Sequence, residues 1–267
     1  MAPFNVSGFI DDDTIEISKD IRRVPFEGPI LVAHQPEFLP WLGFVSKAAM
    51  GDIYLLLDSV QFRKQYFQHR NKIRIKSDSG WKWLIIPLVR DTIDRGRDIS
   101  DAKISGTSWV EEHLKSIQFA YSKAPYFAEV FPALKKIYGY EGDSLSEFNT
   151  LIIRYAFQMF DIHVPVLRTS ELILSGHKIQ GYKTELILSM CQAVGARTFV
   201  SGPFGKMYLE KEKFKSNNIN LVFQSFTHPI YSQLHGDFIS CMAFIDLLFN
   251  HGPRSVEILG KSDWELG

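Results

Sequence analysis

Apolar residues recur along this chain with two different periods. Ile30-Leu31-Val32-Ala33 is a continuous apolar run, and "DIYLLLD" (52–58) is a second one between two aspartates. Uninterrupted runs of this kind are what parallel strands covered on both faces require. Between them Trp41, Leu42, Val45, Ala48 and Ala49 return at helical spacing and Gly51 stops the run. Pro40 suits the first helical turn, where its missing N–H costs nothing. A strand, helix and strand this closely spaced predict a βαβ unit with two parallel strands and a right-handed crossover.

Further along, "NKIRI" and "WKWLIIPL" flank "KSDSG" as a hairpin. Two capping boxes then announce helices: Ser108 with Glu111, running to about Tyr121, and Ser144 with Glu147, running to about Phe160. "APYFAEVFPALKKIYG" between them is helical in pattern, with Pro132 placed to bend or split it. In the last third, "GYKTELILSMCQAVGA" reads as a helix, "RTFVSG" and "NINLVF" as strands, and "DFISCMAFIDLLFNHG" as an amphipathic helix ending at Gly252. The fold class is therefore α/β, a mostly parallel sheet flanked by helices with a helical middle segment. Residues 1–28 show no periodicity beyond "TIEI" and read as an N-terminal extension carrying at most one edge strand. Residues 29–260 read as a single domain.

Composition narrows the function classes. Thirty basic and thirty acidic side chains cancel, so there is no global field for nucleic acid or an anionic membrane, and any anion site must be local. No apolar run approaches the roughly 18–20 residues of a membrane span, and the acidic first twenty residues lack the basic and apolar regions of a signal peptide. Two cysteines, Cys191 and Cys241, argue against a disulfide scaffold. A cytoplasmic protein is expected. Cys191 shares an apolar helical stripe with Leu186, Ile187, Met190 and Val194, which predicts a core thiol, not a nucleophile.

Four stretches carry candidate chemistry. His34-Gln35-Pro36 ends the first strand and Asp58 ends the second, the edge at which open parallel sheets bind ligands. A histidine there suits a general base, with an aspartate to orient it; the alternative is a Pro-rich turn with Asp58 capping a loop. In "DSVQFRKQYFQHRNKI" (58–73), Gln61, Arg63, Gln65, Gln68, Arg70 and Asn71 suit hydrogen bonding to sugar or phosphate, Arg70-Asn71 ahead of Arg63-Lys64, with Tyr66 or Phe67 as a stacking face; a solvated edge strand is the alternative. In "VSGPFGKMYL" (200–209), Ser201, Gly202 and Lys206 compose an anion cradle if a helix begins near Lys206, or else a plain strand-to-helix turn. His228, in "THPIYSQ", sits on a functional or an ordinary loop. His113 and His163 read as structural, and no HxxxH, HExxH or CxxC spacing supports a metal site.

Taken together, "AHQPEFLPWLGFVSKAAMGDIYLLLDSVQFRKQYFQHRNKI", "WLIIPL", "RTSEL", "MCQAVGARTFVSGPFGKMYL" and "SCMAFIDLLFNHG" resemble the WbqC-like family of bacterial proteins from about residue 30 to 252. "HQPxxLPWLG" is the most specific signature. Phe38 stands where the family often has tyrosine, and Gln68-His69 where an asparagine is common before the Arg-Asn pair. Carried onto this chain, the signature positions are His34, Gln35, Pro36, Asp58, Gln61, Arg70, Asn71, Ser201 and Gly202. The resemblance implies a setting in surface-polysaccharide (O-antigen) and deoxyamino-sugar biosynthesis, with acyl or aminoacyl transfer as the proposed role.

The resulting expectation is an enzyme that places a small acyl or aminoacyl group on the amine of a nucleotide-linked amino sugar. His34 and Asp58 would be catalytic, and Gln35, Gln61, Arg70, Asn71, Ser201, Gly202, Lys206 and His228 would bind substrate. The partners would be a nucleotide sugar and an acyl donor or carrier protein, with no metal and no nucleic acid. Two alternatives stay open. One is a HIGH-type nucleotidyltransferase-like enzyme, which the strand–His–helix–strand–Asp layout suggests by analogy although the HxGH spacing is absent. The other is a non-catalytic glycan- or nucleotide-binding module.

Overall fold

The computed structural model describes residues 28–94, 96–260 and 262–267. The edge strand expected in the extension lies outside the described residues. The βαβ unit forms as its pattern requires: β1 (Ile30–His34), α1 (Leu42–Ala48) and β2 (Ile53–Leu56), with β1 and β2 parallel in the register Leu31↔Ile53 to His34↔Leu56. The hairpin follows as β3 (Arg70–Arg74) and β4 (Trp81–Ile85), a separate two-stranded sheet.

Three helices fill the middle: α2 (Ser108–Tyr121), α3 (Phe127–Ile137) and α4 (Leu145–Met159). Ser144 caps α4 as expected, its Oγ accepting from the Glu147 N–H at 3.3 Å. At α2 the cap position is Thr107, with Ser108 the first helical residue and no side-chain cap bond. Helix α3 runs unbroken through Pro132, whose missing N–H forgoes only the bond to the Ala128 carbonyl in the first turn.

The chain then returns to the main sheet through β5 (Val166–Arg168), α5 (Thr169–Leu174), α6 (Thr184–Ala193), β6 (Thr198–Ser201), α7 (Lys211–Ser216), β7 (Asn220–Ser225), α8 (Ile245–His251), α9 (Ser255–Leu259) and β8 (Asp263–Leu266). The order is β5-β2-β1-β6-β7-β8, parallel throughout except for β8, which runs antiparallel along β7. Alternate residues feed two cores, as the strand period demands. Ile30, Val32, Tyr54, Leu56, Val200 and Val222 face the α1, α4 and α8 side. Leu31, Ala33, Leu55, Phe199, Leu221 and Phe223 face α6 and α7, where Cys191 is fully buried. Burial pushes its thiol up to about 12, as expected of a core cysteine.

Two expected helices are corrected. In "DFISCMAFIDLLFNHG" only Ile245–His251 is helical. The backbone N–H and C=O of Ile239 are both taken by the Gln233 amide, the Cys241 N–H is taken by His228, and Cys241 itself has φ 58°. No helix starts at Lys206 either. Pro203–Met207 is a 3₁₀ turn, and α7 begins at Lys211. No helix among the described residues is long and apolar enough to cross a membrane.

Candidate active site at the sheet switch point

The sheet grows from β1 toward β2 and β5 on one side and toward β6 and β7 on the other. Two crossovers therefore leave in opposite directions between β1 and β6, opening a crevice at their carboxyl ends, the position at which such sheets bind ligands. A cavity of about 660 Å³ occupies it, within the range of small-molecule sites. Its walls are aromatic (Trp41, Phe44, Tyr66, Phe67, Phe204, Phe226), and its polar groups include His34, Gln35, Glu37, Lys47, Gln68 and Gln224.

The signature segment builds the inner end. Trp41 can lie across its own helix start only because residue 43 is glycine: a Cβ there would come 2.2 Å from the indole ring. The Gly43 carbonyl accepts from Gln224 Nε2 at 3.0 Å, tying the segment to β7. Leu39 holds φ 45°, an uncommon conformation for a bulky residue. Asn71, fully buried, donates to the Phe38 and Leu39 carbonyls at 3.1 and 2.7 Å and accepts from the Lys72 N–H. Asn71 thus fixes the segment that follows His34 and carries Glu37.

His34 leaves β1 with Nδ1 3.0 Å from the Gln35 carbonyl. A carbonyl only accepts, so Nδ1 carries the proton and Nε2 keeps its lone pair. Glu37 Oε1 stands 3.8 Å from the same Nδ1. The His34 side chain keeps 36% of its surface open on the cavity, yet the enclosure hydrates an imidazolium poorly. Burial first, then the Lys47 charge, push its pKa down to about 3 against the pull of the Gln35 carbonyl. Glu37 and Lys47 are both buried, at 6% and 2% exposure. Desolvation raises Glu37 to about 8, opposed by Lys47, and lowers Lys47 to about 7, opposed by Glu37. Lys47 Nζ donates to the Ala33 carbonyl at 2.9 Å, while Glu37 Oε2 and Tyr54 Oη are buried without a hydrogen-bond partner among the described residues.

The expected pairing of His34 with Asp58 is not made. Asp58 is fully buried and accepts from Thr169 Oγ1 (3.0 Å), Ser170 N (2.9 Å), Ser170 Oγ (2.7 Å) and Ser146 Oγ (2.6 Å). Its carboxylate fastens the exit of β2 to the start of α5 and to α4, with the "RTSEL" segment supplying three of the four donors and Ser146 of α4 the fourth. His34 finds its carboxyl three residues away instead.

Of the other candidates, Gln35, Gly202 and Lys206 line the cavity. Lys206 is engaged by Glu265 of β8 across the rim and lies over the Phe223 ring at 5.7 Å. Ser201 is buried beneath, its Oγ donating to the Gly202 carbonyl, and Gly205 packs so closely on it that a Cβ would come within 2.1 Å. The rest lie outside the lining. Arg70 donates to the Gln65 carbonyl at 2.7 Å and stacks over Trp83 at 4.6 Å. Gln61 is exposed, bridging Asp98. Both ring nitrogens of His228 meet backbone, Nδ1 at the Pro229 carbonyl (2.8 Å) and Nε2 accepting from Cys241 N (3.2 Å), while the ring stacks on Trp41.

Sequence reasoning passed over Glu37, Lys47 and Gln224, while Gln68, one of the amides of the 58–73 stretch, does line the cavity. The readable signal for Lys47 was a lysine inside "LGFVSKAAM", a helix too apolar to keep a solvated face. Glu37 carried its signal in the signature itself, one residue beyond Pro36.

The chain is 28% identical over 228 residues to an uncharacterized protein of Mycobacterium tuberculosis, covering 84% of this chain and 95% of that relative. No solved structure matches it. The model of the WbqC-like protein family matches residues 35–258, which hold the Asp58 anchor and the whole cavity lining except His34, one residue before the match, and Glu265 on β8. The chain belongs to the WbqC-like protein family.

Proposed function

We propose that the chain transfers a small acyl or aminoacyl group onto the amine of a nucleotide-linked amino sugar, with His34 as the residue that meets the amine. The observation that carries this reading is the state of the His34 ring. Its proton is fixed on Nδ1 by a backbone carbonyl, a carboxyl stands behind it, and Nε2 has no protein partner among the described residues. Burial keeps this imidazole neutral in the free site, and it accepts a proton from a bound nucleophile where the reacting group and Glu37, ionised above about pH 8, favour the imidazolium. The aromatic walls suit a nucleobase or sugar face, and Lys206 at the rim suits the diphosphate between them once Glu265 is displaced.

The test is direct. Uridine- and thymidine-diphosphate amino sugars, with their N-acetylated and hydroxyl counterparts as controls, are titrated in a thermal melt, then incubated with acyl and aminoacyl thioesters. A melting temperature raised by the free amine form, and a product heavier by one acyl group in the mass spectrum, are expected. Equal response to amine and hydroxyl sugars, with no mass change, would refute the acceptor.

A further inference from the structure

We propose that the side-chain amide of Gln35 is the oxyanion donor of this site, and that Gln68 is the residue that aims it. The inference rests on the acyl-transfer reading above and names groups which that reading does not use.

The orientation of a glutamine amide is decided by its hydrogen-bond network, and here the network starts from an unambiguous donor. The backbone N–H of Arg63 can only donate, and it donates to Gln68 Oε1 at 2.9 Å. Gln68 must then present its NH₂ at the other end, and this reaches Gln35 Oε1 at 2.7 Å. Gln35 is left with its oxygen occupied and its own NH₂ outward. That Nε2 has no acceptor among the described residues and is not a buried atom, while the residue itself lines the cavity. Gln68 is held rigidly for the task. It is 1% exposed, and its carbonyl accepts from Asn149 Nδ2 at 2.7 Å.

Consecutive residues therefore offer opposite characters to one bound group: a lone pair on His34 Nε2 and fixed N–H donors on Gln35 Nε2. Acyl transfer needs this division. The amine nitrogen adds to the carbonyl carbon of an activated ester or thioester, forming the C–N bond as the π pair moves onto oxygen. The Gln35 N–H groups take the charge of that oxygen, and the ammonium proton passes to His34 Nε2. The oxygen pair then re-forms C=O, the bond to the leaving group breaks, and the proton follows the leaving thiolate or alkoxide. A donor preorganised by a buried relay does not reorganise as the charge appears, the condition under which such donors are most effective.

The experiment needs no sugar. Release of nitrophenolate from p-nitrophenyl acetate is followed for the full-length wild type and for the His34→Ala, Gln35→Leu, Gln35→Glu and Gln68→Leu variants, with melting temperatures recorded for each. Wild type should exceed His34→Ala. Gln35→Leu and Gln35→Glu should lose about 10²–10³-fold in kcat, the cost of removing one oxyanion donor, with KM little changed and melting temperature within a degree or two. Gln68→Leu should lose less, again in kcat and not in KM, because it frees the amide to turn without removing it. The amide ¹⁵N signals of Gln35 should move on adding acetate in the wild type and not in Gln68→Leu. No excess of wild type over His34→Ala, or a kcat for Gln35→Leu equal to wild type, would overturn the assignment. Failure of amino sugars to bind would remove the acceptor proposed above and leave these rates untouched, so the two ideas fail separately.

Discussion

The carboxyl of Glu37 stands on the Nδ1 side of His34, Oε1 3.8 Å from that nitrogen, while Nε2 has no protein partner among the described residues. At that distance the contact is electrostatic and not a hydrogen bond. Where a buried carboxylate alone fixes a catalytic tautomer, removing its charge costs about 10⁴-fold. Here the Gln35 carbonyl already fixes it. Above about pH 8, where the carboxyl is ionised, Glu37→Gln should therefore lose only about 10-fold in kcat, with KM unchanged, the part owed to charge alone. His34→Ala should lose far more. A Glu37→Gln rate equal to wild type in steady-state assays would reduce the carboxyl to a packing group.

Asp58 has a different consequence. Four donors converge on its carboxylate in a fully buried setting. An asparagine would turn an NH₂ toward at least one of them, and hydrogen bonds to charged groups are worth about 1.5–3 kcal/mol each. Asp58→Asn should lower stability by about 3 kcal/mol in denaturant titration while leaving ligand affinity of the folded fraction intact. An undiminished midpoint together with lost activity would return Asp58 to the chemistry.

The contrast shows what the sequence could carry. The βαβ unit and both sheet cores were legible because unbroken apolar runs admit few structures, and the cavity edge followed from where those runs stop. His34 and Asp58 do end neighbouring strands, but strand ends do not reveal which way a side chain turns. The decisive partners of Asp58, Thr169 and Ser170, lie more than a hundred residues away. Strand β8, "DWEL", alternates polar and apolar over only four residues, three of them exposed, and is held by backbone pairing to β7. Lys47 was hidden by its type, since a lysine counts as surface until its helix proves buried all round.

Gly43 should be intolerant of any side chain. A Cβ would come 2.2 Å from the Trp41 ring, which must then leave its place between His228 and Phe226. Gly43→Ala should shift tryptophan emission and weaken cavity ligands at least tenfold, with secondary structure by circular dichroism preserved. Unchanged emission and affinity would mean that the indole has room to yield.

Lys47 makes a prediction whose sign depends on pH. Its pKa falls from an ordinary 10.5 to about 7, first through desolvation, against the pull of Glu37. Between those values the unfolded chain binds a proton that the folded one refuses, so folding is disfavoured progressively as pH drops from about 10 to 7 and by a constant amount below. Lys47→Met keeps the length and apolar contacts of the side chain without the charge. It forfeits one hydrogen bond to the Ala33 carbonyl, worth about 1 kcal/mol. At pH 6 Glu37, raised to about 8, is protonated, so Lys47→Met removes a costly buried charge and leaves no unpaired one behind. Lys47→Met should accordingly be more stable than wild type at pH 6, and its advantage should shrink through pH 8 and 9 and vanish or reverse near pH 10. Glu37 has the opposite slope, since a carboxyl raised to about 8 makes folding less favourable as pH climbs toward that value. In Glu37→Gln that decline is absent, so comparing the two variants separates the contributions. Parallel stability curves for wild type and Lys47→Met across pH 6–10 in urea titrations would show that Lys47 keeps its proton in the fold.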